Sequence, residues 1–218
     1  MAEVGRFHVR SVRSVGFMKS STDQINPWAL VTREETFDCP YFAVRRDTVT
    51  HLGGDHRLYH HIHMKNFGIA VVPIDNDGST TLVGQYRYAL ESFTWEITRG
   101  GGRRDAPSIE AAKRELNEET GYRADHWLEL FAASASPGTS DSIAPGFVAW
   151  SLHEGEPTPD PEELLTQRRV PFSAAVAMAL SGEIADLASI AAILAVEARF
   201  QREELPADLL QLLKRGHR

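Results

Sequence analysis

Two apolar, β-branched runs, residues 67–74 (FGIAVVPI) and 80–87 (TTLVGQYR), stand on either side of Asp75-Asn76-Asp77-Gly78. The Asp-Gly pair suits a tight reversal that needs positive φ, so the pattern predicts a β-hairpin. Upstream, residues 28–36, 41–50 and 56–64 mix aromatic and β-branched side chains in short runs broken by Asp, Pro and Gly, which predicts three antiparallel strands. Downstream, the segment from Phe93 to Thr98 leads into Arg99-Gly100-Gly101-Gly102-Arg103-Arg104-Asp105, read as a loop. Residues 107–120, rich in Ala, Glu, Lys and Leu, predict a helix. Pro107 suits its first turn, Ser108 is placed to satisfy free amides there, and Gly121 stands where a left-handed C-terminal residue is wanted.

Residues 127–134 and 143–152 predict further strands, and Glu154 to Gln167, with its prolines and glutamates, an exposed loop. Val170 to Phe172 is expected to close the sheet. From Ser173 to Leu213 apolar residues recur at helical spacing, as in Leu187, Ile190, Ala191 and Leu194, which predicts two or three helices.

A length of 218 residues suits one large domain or a domain with an accessory piece. Hydrophobic residues at 42% and charged residues at 24% give the balance of a folded globular chain. No apolar run approaches the roughly 18 residues needed to cross a bilayer, and Arg6, Arg10, Arg13 and Lys19 interrupt any signal-peptide core. A cytoplasmic protein with no membrane partner is expected. Cys39 is the only cysteine, which excludes an intrachain disulfide and a Cys-based zinc site. The net charge of -7 argues against nucleic acid as a partner, since duplex binding depends on many Lys and Arg contacts to phosphate. A small anionic ligand remains compatible where a few arginines or a metal supply a local cation.

Glu115, Glu118 and Glu119 fall at i, i+3 and i+4 of the expected helix, so their carboxylates share a face, while Ile109, Ala112 and Leu116 form another that can bury. On most helices such acids are simply a solvated surface. These acids occupy the last turns, where the macrodipole disfavours negative charge, and only Lys113 and Arg114 are near in sequence. Mg²⁺ prefers carboxylate oxygens and is commonly held by one or two of them together with substrate phosphates. A metal platform therefore stands beside the solvated reading. His61 and His63 share a strand face without His60 and without a third ligand, and read as surface or interface residues. Asp75 to Gly78 lacks the spacing and final Glu of a calcium loop.

Gly100, then thirteen residues, then Arg114-Glu115-Leu116-Asn117-Glu118-Glu119-Thr120-Gly121-Tyr122 resembles the Nudix box, a loop-helix-loop motif. One fixed position departs: the family usually has Glu where this chain has Ala106. That Glu is thought to orient the Arg of the box, and Asp105 or Glu110 is the candidate replacement. Gln85-Tyr86-Arg87-Tyr88, Trp95-Glu96-Ile97-Thr98-Arg99-Gly100 and Ser136-Pro137-Gly138-Thr139-Ser140-Asp141 are similar to segments of the ADP-ribose pyrophosphatase branch. The resemblance implies an α/β fold, an α/β/α sandwich over residues 65–218, preceded by an N-terminal antiparallel β region over residues 1–64 that serves homodimerisation.

It also implies site residues. Glu115 and Glu119 would hold Mg²⁺ (or Mn²⁺), with Glu118 assisting and a backbone carbonyl near Arg99 or Gly100 contributing. The glycines 100–102 would let the backbone approach metal or phosphate, their plainer reading being a flexible loop. Glu162 or Glu163, on the late acidic loop, would take the proton from water, though such residues are usually just solvated. Arg87 would bind the diphosphate or else form a surface ion pair; Glu96 and Arg99 lie beside the glycines as further substrate contacts. The implied activity is Mg²⁺-dependent hydrolysis of the pyrophosphate of a nucleoside diphosphate derivative, ADP-ribose or another nucleotide sugar, to a nucleoside monophosphate and a sugar phosphate. The alternative is a non-catalytic nucleotide sensor with the same fold, suggested by Ala106.

Overall fold

A computed structural model describes residues 25–217. Arg6, Arg10, Arg13 and Lys19, the residues that argue against a signal-peptide core, lie outside the described residues. The elements run β1 (Trp28–Asp38), β2 (Phe42–His51), β3 (His56–Met64), β4 (Asn66–Ile74), β5 (Ser79–Arg87), β6 (Ser92–Glu96), β7 (Thr98–Arg103), α1 (Ser108–Thr120), β8 (Arg123–Ala133), β9 (Ala144–His153), β10 (Thr166–Pro171), α2 (Phe172–Ser181), α3 (Leu187–Gln201) and α4 (Ala207–Gly216). No described helix is long and apolar enough to cross a membrane.

The strands form three sheets, in the orders β1-β2-β3, β10-β5-β6 and β7-β4-β9-β8. In β4 the alternation of side chains divides the core. Ala70, Val72 and Ile74 join Phe172, Ile193 and Leu209 beneath the C-terminal helices. Phe67, Ile69 and Val71 join Ala112 and Leu116 beneath α1. A strand covered on both faces reads as a nearly continuous apolar run, which is why residues 67–74 carry no charge. Strand β9 runs parallel to β4 and is divided in the same way, Val148 and Trp150 to one side, Phe147 and Ala149 to the other. The result is an α/β/α sandwich.

The hairpin expectation is corrected. The turn is present: Asp75 N donates to Ser79 O at 2.9 Å, Gly78 N to Asp75 O at 2.9 Å, and Gly78 has φ +81. Its two strands nevertheless enter different sheets. Strand β4 already has β7 on one edge and β9 on the other, so β5 pairs with β6 and β10 instead. A Cβ on Gly78 would stand 2.3 Å from Leu212 O and Gly216 N, so the turn packs directly on α4.

The glycine segment is a strand rather than a loop. Strand β7 pairs antiparallel with β4, Gly100 opposite Ile69 and Gly102 opposite Phe67. Glycine is needed here for close approach: a Cβ on Gly102 would lie 2.5 Å from the Phe67 ring. In α1, Gly121 takes the left-handed C-terminal conformation at φ 78, its N–H donating to Asn117 O. Pro107 sits just outside the first turn as the N-cap and makes no side-chain cap; Ser108 is buried.

The three upstream strands form the antiparallel sheet expected of them. A loop preceding β9 docks on β3: Ile62 N donates to Thr139 O at 2.8 Å and Asp141 N to Ile62 O at 3.2 Å. The Asp141 carboxylate accepts from Met64 N at 2.8 Å and Arg104 Nη2 at 2.9 Å, and lies 2.6 Å from His63 Nδ1. His61 lies 3.2 Å from Asp47, itself paired with Arg33.

Candidate active site

Strand β7 is an outer strand, so every second residue turns its main-chain groups to an open edge. Helix α1 lies along that edge. Arg99 N donates to Glu119 Oε2 at 3.2 Å and Gly101 N to Glu115 Oε1 at 3.1 Å. Gly100, between them, faces the helix with no side chain; a Cβ there would stand 2.0 Å from the Glu115 carboxyl carbon. Its carbonyl lies on the β4 side, 3.8 Å from where a Cβ on Gly68 would be. The Arg99 carbonyl shares the open side with the Arg99 N–H.

Glu119 is 5% exposed, and burial pushes its carboxyl up to about 8. The Arg99 N–H and the charge of Arg87 oppose the rise, while the negative charges of Glu115 and Glu163 add to it. Burial also raises Glu115, against the Gly101 N–H and Arg114. Two carboxylates thus share a poorly solvated edge. Glu118 is drawn off to Arg114 Nη1 at 2.6 Å, and Arg114 Nη2 reaches Glu115 and Gly101 O. Among the described residues no three His, Cys, Asp or Glu side chains converge closely enough to hold a metal by themselves.

Neither expected replacement for the side chain at 106 reaches Arg114. Asp105 pairs with Arg103 and Glu110 with Lys113. The small Ala106 instead borders an open groove of about 430 Å³ with Arg103, Glu110 and Arg114.

The sheet β10-β5-β6 forms the opposite wall. Its ladder sets Val83 against Glu96 and Gln167, so these share a face with Gln85, Arg87 and Thr94. That face is turned to α1, since Gln167 Nε2 donates to Glu119 O at 2.9 Å. Arg87 grips Glu96 with two N–H groups at 2.8 and 2.5 Å, and Thr94 Oγ1 donates to the same carboxylate. Glu96 is 3% exposed and anchors a guanidinium whose outer part stays accessible.

The acidic loop after β9 packs on the end of α1, where Thr158 N donates to Glu118 O and a Cβ on Gly121 would stand 2.1 Å from Gly155 O. Glu162 N and Glu163 N both turn back on Asp160. Glu163 is the loop acid whose charge is felt at Glu119. The Arg99 guanidinium goes elsewhere. It projects from the face of β7 opposite Gly100, donates to Ile69 O, and pairs through Nε with Asp186 at 3.1 Å. Asp186 and Gln167 escaped the sequence reading. The one local signal for Asp186 is an acidic N-cap ahead of Leu187-Ala188-Ser189.

A NUDIX domain model matches residues 64–191, more than half of the chain. The chain belongs to the Nudix family. It is 35% identical to an ADP-ribose pyrophosphatase of Mycobacterium tuberculosis (strain ATCC 25618 / H37Rv) over 72% of this chain and 77% of that protein. It is 32% identical to an ADP-ribose pyrophosphatase of Bacillus subtilis (strain 168) over 57% of this chain and 69% of that protein. A solved structure of an ADP compounds hydrolase, 22% identical, superposes with a TM-score of 0.73 over 84% of this chain and 98% of its own, so the Nudix fold is shared. In Nudix terms the box runs from the edge strand β7 through α1, where Arg114 is held by the carboxylates of Glu115 and Glu118 and by Gly101 O.

Proposed function

We propose that this Nudix hydrolase splits the diphosphate of ADP-ribose or a related nucleotide sugar with Mg²⁺, giving a nucleoside monophosphate and a sugar phosphate. The observation that carries the reading is the pair of buried carboxylates, Glu115 and Glu119, set against the open edge of β7 in a chain whose relatives include ADP-ribose pyrophosphatases. The donor set fits Mg²⁺. It is all oxygen, burial makes the charge of Glu119 costly, and two carboxylates with substrate phosphates are an ordinary Mg²⁺ complement. Glu115, Glu119 and the Arg99 carbonyl would hold the ion, with Glu118 near and Gly100 leaving the space.

When bound, the metal supplies neutralisation of the diphosphate and a lowered pKa for the attacking water. The chain's own residues do the rest. Arg87, fixed by Glu96, presents N–H groups to the diphosphate oxygens. Glu163 accepts the proton of the water that attacks phosphorus; the bond to the bridging oxygen breaks, and that oxygen leaves on the second phosphate. The sheet β1-β2-β3, within residues 1–64, would pair with a second copy, leaving residues 65–218 as the catalytic domain. A cytoplasmic setting suits the lone, unpaired Cys39.

The test is phosphate release, coupled to a phosphatase, from ADP-ribose, other nucleotide sugars and dinucleotides with Mg²⁺, with Mn²⁺ and with chelator. A nucleotide sugar should lead and chelator should silence it. Ligands that raise the melting temperature without turnover under any metal would overturn the reading in favour of a sensor.

A further inference from the structure

The N-terminal turn of α3 touches the back of the metal-facing edge at two points. Asp186 caps the helix, accepting from Ser189 N at 2.7 Å, and the same carboxylate lies 3.1 Å from Arg99 Nε. Ser189 Oγ donates to Asp186 at 2.7 Å and accepts from Ile97 N at 3.2 Å; Ser189 is fully buried. The polar groups of this turn therefore fasten Ile97 and Arg99. Arg99 is the residue whose N–H reaches Glu119 and whose carbonyl shares that open side.

The two faces of β7 are thus mechanically joined. On one face Gly100 lets Glu115 approach; on the other the Arg99 side chain is clamped between Ile69 O and Asp186. Strand β7 has a neighbour, β4, on one edge only, so among the described residues its outer main-chain groups have no strand partner to hold them. The clamp from behind does that. It also keeps the guanidinium away from the carboxylates, where it would compete with a divalent cation for the same oxygens.

We propose that Asp186 is a positioning residue for the metal site, acting through Arg99 to hold the β7 edge against Glu119, an inference that rests on the hydrolase reading above. The helix cap and the ion pair are separable by chemistry. Asn caps a helix as well as Asp but carries no charge for Arg99, whereas Glu keeps the charge and caps poorly. In metal-free protein titrated with Mn²⁺ and followed by the electron paramagnetic resonance of the free ion, Asp186→Asn should weaken binding by about ten-fold or more while leaving the melting temperature near that of the wild type. Asp186→Glu should do the reverse, keeping Mn²⁺ affinity at a lowered melting temperature. With Mg²⁺ and ADP-ribose, Asp186→Asn should lower kcat with KM little changed.

Should Asp186→Asn fold badly, Arg99→Gln removes the pair from the other side and should itself weaken Mn²⁺ binding; where Asp186→Asn folds, the double variant should lose no more Mn²⁺ affinity than Arg99→Gln alone. Mn²⁺ affinity that follows melting temperature across the variants, or that is unchanged in Asp186→Asn, overturns the proposal. A rise in KM as the sole effect of Arg99→Gln overturns it too, since Arg99 would then be a direct substrate contact. Glu119→Gln separates the two levels: if it loses Mn²⁺ binding and turnover while Asp186→Asn keeps both, the hydrolase reading stands and the positioning role falls. A wild-type chain that neither binds Mn²⁺ nor cleaves any nucleotide sugar overturns both together.

Discussion

Glu119 carries the sharpest electrostatic conflict in the site. Its ordinary value of 4.5 is raised to about 8 by burial, with Glu115 and Glu163 adding to the rise. Because the folded value lies above the unfolded one, the metal-free protein is most stable below about pH 4.5 as far as this group is concerned, and that contribution is lost as pH rises through about 8. Melting temperature in chelator should therefore fall between these limits, and Glu119→Gln should flatten this component of the curve. Metal reverses the trend, since binding requires the ionised carboxylate, so stabilisation by Mg²⁺ should be larger at pH 8 than at pH 6. The acids also differ in kind. Glu119→Gln should lower kcat by more than about 100-fold through loss of metal. Glu163→Gln should lower it by roughly 10² to 10⁴-fold with Mn²⁺ affinity nearly intact, as removal of a general base does. Equal effects of both on Mn²⁺ binding would remove Glu163 from the base role.

Among the elements, β7 ties fold to site, and its three glycines are not equivalent. A Cβ on Gly101 meets only Phe67 O at 3.5 Å, whereas one on Gly100 would overlap the Glu115 carboxyl at 2.0 Å. Gly101→Ala should change stability by less than about 0.5 kcal/mol. Gly100→Ala should displace Glu115 and reduce turnover far more than it reduces melting temperature; equal activity in the two variants would mean that Glu115 is not held where the edge places it. Sequence alone made α1 legible, because its apolar spacing, its acids at i, i+3 and i+4 and its terminal Gly121 are all local signals. The same locality misled at β4, where Asp-Gly reports a turn and says nothing of which edges are already occupied. Glycine is depleted in strands, so residues 100–102 read as a loop, although the carboxylate and the Phe67 ring packed on them are what demand glycine. Asp186 is 87 positions from Arg99, and only the folded sandwich brings them together.

For the whole molecule, the sheet β1-β2-β3 is the anomaly. Strand β1 is exposed along its entire length and carries Trp28, Leu30, Val31 and Phe37, with Leu58 and Tyr59 exposed on β3. Among the described residues nothing covers this outer strand, and its exposed Trp28, Leu30, Val31 and Phe37 suit association, so the chain should sediment as a dimer, and Val31→Asp with Leu30→Asp should shift it towards monomer. Beside the main-chain bonds of Ile62 to Thr139 and Asp141, the Asp141 carboxylate couples this sheet to the rest of the molecule, holding Met64 N, His63 and Arg104 at once. Arg104 lies in the turn between β7 and α1, so the contact joins the N-terminal sheet to β7 and to the helix that carries Glu115 and Glu119. Asp141 is kept below the usual carboxylate range: burial raises it, but the Met64 N–H, His63 and Arg104 together outweigh that effect. Its folded value being depressed, its contribution is present at neutral pH and lost as pH falls through that lowered value. Asp141→Ala leaves Arg104 and His63 without their carboxylate, and hydrogen exchange should then quicken across β3 and the turn before α1. Amides of β4 and β9, buried between the helical layers, should exchange as in the wild type; quickening there as well would mean that Asp141 supports the core rather than the junction.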